Sequence, residues 1–240
     1  MIKYDSISNP GARTVNEDYL GGVKFYGNNY CFCLADGLGG HQCGEEASAA
    51  AVGVCLNSMK KKEYSLERIF TAAQNEVLML QQTSGLDMKT TMVILTILED
   101  KVSYGHIGDS RVYHFKKGEL FYRTKDHSVP QMLVAMGEIT ADEIRFHPDR
   151  NRLLSVIGEV WERPRYTIDA LDIPLEEEDS FLLCSDGFWE YIDEKEMIET
   201  LKQSTDVKSW LKKMTNIVEM NNMNVNADNY SAIAVMCKKR

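Results

Sequence analysis

The sequence predicts an α+β fold, a layered α-β-β-α sandwich of two mainly antiparallel sheets flanked by helix pairs. Short apolar runs bounded by turn residues recur along the chain and read as strands. Helical stretches come in pairs, near 43–60 with 65–82 and 193–202 with 206–220, on either side of a run of strands. The strands follow one another too closely for parallel crossovers, so they pair as antiparallel sheet. Packing two such sheets face to face, with helices outside, buries every apolar face.

The elements follow in order. After a turn at Asn9-Pro10-Gly11 comes Arg13-Thr-Val-Asn-Glu17-Asp18, which alone reads as a surface charge cluster. The stretch Lys24 to Ala35 gives a strand, a turn at Gly27-Asn28-Asn29, and the buried strand Tyr30-Cys-Phe-Cys-Leu-Ala35. That run stops at Asp36 and dissolves into Gly37-Leu38-Gly39-Gly40-His41. Asp-Gly is an ordinary hairpin signal, but an alanine-rich helix with Glu45 and Glu46 in its first turn follows, not a returning strand. Asp36 therefore sits on the rim of the core, and glycine at 37 lets the main chain approach whatever Asp36 holds. His41 reads as a helix-start or supporting residue.

The second helix opens on a Ser65 N-cap and carries Ile69, Phe70, Ala73, Val77 and Leu80 at core spacing. Strands follow at Thr90–Leu98, Lys101–Ile107, Arg111–Phe115 and Leu120–Arg123, with Gly108-Asp109-Ser110-Arg111 presenting a second acid at a strand-edge turn. Residues 124–152 break the pattern with a short helix ending at Gly137 and a polar stretch, as a functional loop does. Within it His127 and His147 are expected to make local hydrogen bonds, and Arg145, Arg150 and Arg152 to be solvated. Strands resume near 165–171 and 179–184, and Phe181-Leu-Leu-Cys-Ser runs into Asp186-Gly187 as the earlier strand ran into Asp36. After two helices, Asn226-Ala-Asp228-Asn229 precedes the last strand, Tyr230–Met236.

The 240 residues suit one domain spanning 1–240, with an insert at about 124–152. A formal charge of −9 and pI near 5.1 argue against a nucleic-acid partner. The locally basic runs Lys60-Lys61-Lys62 and Lys238-Lys239-Arg240 read as solvated ends of elements. The N-terminus lacks an apolar leader core and no run approaches a membrane span, so no membrane association and a cytoplasmic location are expected. The six cysteines mostly lie in apolar patterns and read as buried inert thiols.

Asp36, Asp109, Asp186 and Asp228 each sit where an apolar strand begins or ends. Several carboxylates in one cleft repel each other and raise each other's pKa unless a cation joins them. Oxygen ligands without His or Cys favour Mg²⁺ or Mn²⁺ over zinc. Two such ions sharing a water lower its pKa and clamp both oxygens of a displacement at phosphorus.

The ordered set resembles the metal-dependent protein serine/threonine phosphatases often called PP2C, and their compact bacterial branch more closely. The resemblance rests on Arg13–Asp18, Ala35–His41, Gly108–Arg111, Lys125–Ser128, His147–Asn151, Cys184–Glu190 and Asp228-Asn229, in the family's order over nearly the whole chain. It implies that Asp36 bridges two Mn²⁺ or Mg²⁺ ions. Glu17 and the Gly37 carbonyl would serve one, and Asp186 and Asp228 the other. Asp18 would hold metal-bound waters from behind, Arg13 the substrate phosphate, and Asp109 with Asp186 a third, weaker metal site. The insert 124–152 would be the flap beside the site.

The implied reaction is hydrolysis of phosphoserine and phosphothreonine by direct attack of a metal-bridging water or hydroxide. The chain departs from the family at Leu38, where eukaryotic members carry a histidine, and at Lys89, where bacterial members usually carry glycine. Ser231 and Leu154-Ser155-Val156 also differ, and none of these removes a ligand. A metal-bound water is then left to protonate the leaving oxygen, since His41 lies three residues beyond Leu38. Phosphoprotein substrates opposing a Ser/Thr kinase, a monomer and no attached regulatory domain are expected. Two other readings stand beside this one, a pseudophosphatase that docks a partner and a metal-dependent phosphodiesterase, the latter disfavoured by the acidic charge.

Overall fold

The computed structural model describes residues 1–38, 43–60, 65–223 and 225–237. Gly39, Gly40 and His41, Lys61-Lys62 and the basic C-terminal run lie outside the described residues. One sheet holds β1 (Ile2–Asn9), β10 (Tyr230–Cys237), β9 (Ser180–Cys184), β6 (Arg111–Lys116) and β7 (Glu119–Arg123), in that order. The other holds β2 (Asp18–Phe25), β3 (Asn29–Asp36), β4 (Met92–Leu98), β5 (Lys101–Ile107) and β8 (Thr167–Pro174). Every ladder is antiparallel.

The strands of the centre are apolar throughout because both of their faces are covered. In β3, Cys31, Cys33 and Ala35 pack toward α1 (Gly44–Ser58) and α2 (Leu66–Ser84). Tyr30, Phe32 and Leu34 pack the other way, against Val112, Phe181, Leu183, Ile233 and Val235 of the facing sheet. Helices α5 (Glu194–Lys202) and α6 (Val207–Asn222) cover the outer face of that sheet through Met197, Trp210, Leu211 and Met214. The result is the α-β-β-α order expected. Two short helices, α3 (Val129–Met136) and α4 (Asp186–Trp189), lie near the rim.

Three elements differ from the sequence reading. Strand β1 was not expected, since its apolar residues are too sparse to mark a run, and it forms by pairing along all of β10. Strand β2 begins at Asp18, well before Lys24; Gly21, an ordinary strand weakener, fits because a Cβ there would meet Val52 Cγ1 of α1 at 2.7 Å. Helix α4 has four residues, too few for any periodic signal. The free cysteines are buried except Cys43, which is partly exposed. Among the described residues no helix is long and apolar enough to cross a membrane.

Candidate metal centre

The strand ends deliver the acids to one rim. Asp18 and Asp36 face each other across the β2–β3 ladder. Asp109 lies in the turn between β5 and β6, Asp186 opens α4, and Asp228 stands before β10. Arg13, Glu17, Asp36, Gly37, Asp109, Asp186 and Asp228 line one cavity of about 520 Å³, together with Leu38, Lys89, Asn151, Leu153, Val156 and Glu159. Six of the seven residues expected to bind metal or phosphate there are charged, and five of those are acids.

The backbone of Asp36, Glu17 and Asp109 is held. The Asp36 N–H donates to Thr91 Oγ1 at 3.1 Å, while its carbonyl accepts from Thr91 N–H at 2.8 Å and Thr90 Oγ1 at 2.9 Å. Gly37 N–H donates to the Glu17 carbonyl at 3.0 Å, and a Cβ on Gly37 would run into the Gly44 carbonyl at the start of α1. Asn229 staples the loop that carries Arg13 and Glu17. Its Oδ1 accepts from Glu17 N–H at 2.8 Å, and its Nδ2 donates to the Pro10 and Val15 carbonyls at 2.9 and 3.0 Å. Trp189 Nε1 donates to the Asp109 carbonyl at 3.0 Å.

Electrostatics follow from this crowding. Burial pushes the Asp36 carboxyl well above the usual range, and Asp18, Asp186, Asp109 and Asp228 push it further. Burial, then Asp186, raises Asp109, and burial, then Asp228, raises Asp186. Glu17 is raised by burial, Glu45 and Asp228, with Arg13 opposing. Asp18 does not line the cavity; it lies behind, buried, and burial lifts it to about 7 although Ser185 and Ser231 stabilise its charge. Ser185 Oγ donates to its Oδ2 at 2.8 Å, while Oδ1 is buried with no partner. Arg13 Nη2 donates to Asp228 Oδ2 at 2.8 Å.

Among the described residues, no three acidic, histidine or cysteine side chains are already gathered as a ready ligand set. The acids converge on the cavity rather than on one point, as expected of like charges. The donors fit a hard divalent ion: they are all oxygen, mutually repulsive, and backed by the unpartnered Asp18 Oδ1.

A family profile for protein phosphatase 2C matches residues 8–228. The chain belongs to the protein phosphatase 2C family. A serine/threonine phosphatase, Stp, of Listeria monocytogenes is 33% identical over 198 residues, covering 78% of this chain and 77% of the relative. The structure of the Mycobacterium tuberculosis phosphatase PstP/Ppp superposes with a TM-score of 0.84 at 26% identity, covering 99% of each chain. A PstP catalytic domain solved with two manganese ions superposes with a TM-score of 0.80 at 25% identity over 99% of each chain. As a protein phosphatase 2C, the chain is a metal-dependent serine/threonine protein phosphatase.

The insert of this phosphatase corrects one expectation. Arg145 is largely withdrawn from solvent, and Arg150, although 38% exposed, is anchored rather than free. Arg145 Nη1 donates to the Trp189 and Ile192 carbonyls at 2.7 and 3.0 Å, and Arg150 Nε to Glu190 Oε1 at 2.7 Å. Orphan carbonyls just beyond α4 attract cations, and α4 was invisible in the sequence. Arg152 is exposed as expected. His147 makes the local hydrogen bond expected of it, its Nδ1 accepting from Asp149 N–H at 3.1 Å, whereas His127 does not: its Nε2 pairs with Thr167 Oγ1, forty residues away, at 2.8 Å.

Sequence reasoning missed several contributors. Asn229 follows Asp228 in the Asp228-Asn229 pair, yet nothing in the sequence marks its amide as a staple. Thr90 and Thr91 read only as the start of a strand. Glu190, four residues after Asp186, is lifted to about 7 by burial and by Asp186, with Arg150 opposing. The i,i+4 spacing was the signal available for it.

Proposed function

We propose that the acids of this cavity are the metal ligands, arranged as the family resemblance implies. Asp36 bridges two divalent ions, Mn²⁺ or Mg²⁺. Glu17 and the Gly37 carbonyl serve one, Asp186 and Asp228 the other, and Asp109 with Asp186 a weaker third. The observation that carries this reading is one cavity in which a central, half-buried Asp36 is surrounded by acids, its carboxyl raised by desolvation and then by four neighbouring aspartates. When bound, the ions neutralise that charge, polarise the phosphoryl oxygens and lower the pKa of a water for attack at phosphorus.

The chain's own residues do the rest. Arg13, the only arginine lining the cavity among the described residues and hydrogen-bonded there to Asp228, would offer its planar fork to the substrate phosphate. Asn229 fixes the loop so that Arg13 and Glu17 approach from one side. Asp18 orients the site from behind through its free Oδ1. Residues 1–240 act as one catalytic domain with the flap at 124–152, whose Asn151 reaches the cavity. Substrates are phosphoserine and phosphothreonine proteins made by a Ser/Thr kinase, and the enzyme works as a cytoplasmic monomer.

Calorimetric titration with Mn²⁺ tests the ligand set. Wild type should bind two ions, and Asp36→Asn should lose both while keeping its circular dichroism spectrum. Retention of both sites in the variant would remove Asp36 from the bridge.

A further inference from the structure

One wall of the cavity takes no part in the chemistry above. Lys89, Leu38, Leu153, Val156 and Glu159 form it. Its frame is fixed, because Thr90 bridges both Gly37 and Ile157, and the Lys89 carbonyl accepts from Leu38 N–H at 3.0 Å. The Lys89 side chain therefore starts from a defined point beside the acids.

Its ammonium is held but not satisfied. Nζ lies 3.8 Å from Asp87 Oδ2 and 3.7 Å from Glu159 Oε1, and the Lys89 side chain is only 18% exposed. A charge-assisted hydrogen bond spans about 2.7–2.9 Å, so these are ion pairs without hydrogen bonds. Among the described residues no oxygen accepts from Nζ, and a lysine has three donors to place. A largely buried donor in that state gains when an anionic oxygen reaches it.

The charge balance of the cavity says which anion. Its described lining carries the acids Glu17, Asp36, Asp109, Asp186, Asp228 and Glu159 against the cations Arg13 and Lys89. Arg13 is hydrogen-bonded into the acid cluster at Asp228. Lys89 is not, and both of its carboxylate neighbours are solvent-exposed, Asp87 at 58% and Glu159 at 43%. The cation is thus paired with exposed carboxylates and not with the acid cluster that holds Arg13.

We propose that Lys89 is a specificity residue that takes the carboxylate of an acidic side chain flanking the phosphorylated serine or threonine, displacing Glu159. The proposal rests on the acid cavity being the phosphoryl site. The phosphatase then prefers acidic phosphopeptides, although its own surface is acidic.

The test compares two phosphothreonine peptides of equal length, flanked by aspartates or by asparagines, with p-nitrophenyl phosphate as a substrate that has no flank. Wild type with Mn²⁺ should favour the acidic peptide about fivefold in kcat/KM, through KM, as expected for a partly exposed ion pair. Lys89→Met should bring the ratio to about one, Lys89→Arg should keep it, and Lys89→Glu should push it below one. Glu159→Gln, which removes the competing carboxylate, should widen it. An unchanged ratio in Lys89→Met overturns the proposal. So does an equal loss on both peptides and on p-nitrophenyl phosphate, which would place Lys89 on the phosphoryl group. Fluorescence anisotropy with non-hydrolysable phosphonate versions of the two peptides gives an independent readout. If wild type turned over none of the substrates, the site assignment would fail, while equal Kd values for the two phosphonates would still overturn the role of Lys89.

Discussion

Asp18→Asn separates the cost of assembling the acid cluster from its use, because its effect on stability should change sign with pH. The Asp18 carboxyl rises from 3.8 to about 7 on folding, with burial the leading cause. Below 3.8 both states hold the proton; as pH climbs toward 7 the unfolded chain releases it first, so stability falls across that window. The rise corresponds to about 4 kcal/mol lost by pH 7.5. Asparagine removes that loss and keeps an acceptor for Ser185 Oγ. It also buries an NH₂ group where Oδ1 has no partner, at about 1–3 kcal/mol. The variant should therefore be less stable than wild type by about 1–3 kcal/mol at pH 4. At pH 7.5 it should be more stable by a similar amount. For a chain of this length each kcal/mol moves Tm by about 2–4 °C. Urea unfolding in EDTA at the two pH values measures both differences, and their comparison cancels errors common to both. Equal effects at the two pH values would refute the reasoning. Added Mn²⁺ should stabilise wild type more than the variant, since a ligand stabilises the state that binds it.

Other outcomes follow from the same contacts. Arg111 is fully buried, forked onto Asp126 at 2.8 and 2.6 Å and stacked 3.4 Å from the Trp189 ring. Asp126→Ala should cost about 3–5 kcal/mol in urea unfolding, whereas the double change Arg111→Met with Asp126→Leu should recover most of it. Asn229→Ala should lower Mn²⁺ affinity about 10–100-fold in calorimetric titration, because it frees the loop carrying Glu17. His127 is lowered from 6.5 to about 4 by burial and by His106, whose ring stacks on it at 4.4 Å. Its neutral form then contributes stability above pH 6.5 that is lost as pH falls toward 4, and its ring protons should not titrate by NMR above about pH 5.

The central strands and the helix pairs were legible because burial on two faces, or on one helical stripe, leaves a compositional mark. Tyr30–Ala35 is that mark for β3, and its abrupt end at Asp36-Gly37 located the site before any geometry was known. Asp186 and Asp228 were legible for the same reason. Strand β1 was hidden because an edge strand lying against β10 needs few apolar residues. Helix α4 was hidden because four residues carry no period, and with it went the destinations of Arg145 and Arg150. Charged residues are the hardest to place from sequence. Their positions depend on where backbone carbonyls and opposite charges happen to be left, and only the folded chain decides that. A neutral amide can be as hard to place, as Asn229 shows with three hydrogen bonds that all go to residues more than two hundred positions away.

The initial rate of phosphothreonine-peptide hydrolysis, with and without Mn²⁺, for wild type and Asp36→Asn, tests the metal assignment most directly. The account predicts turnover that requires the metal and vanishes in the folded variant. Full activity of Asp36→Asn, or wild-type turnover indifferent to chelation, would contradict it.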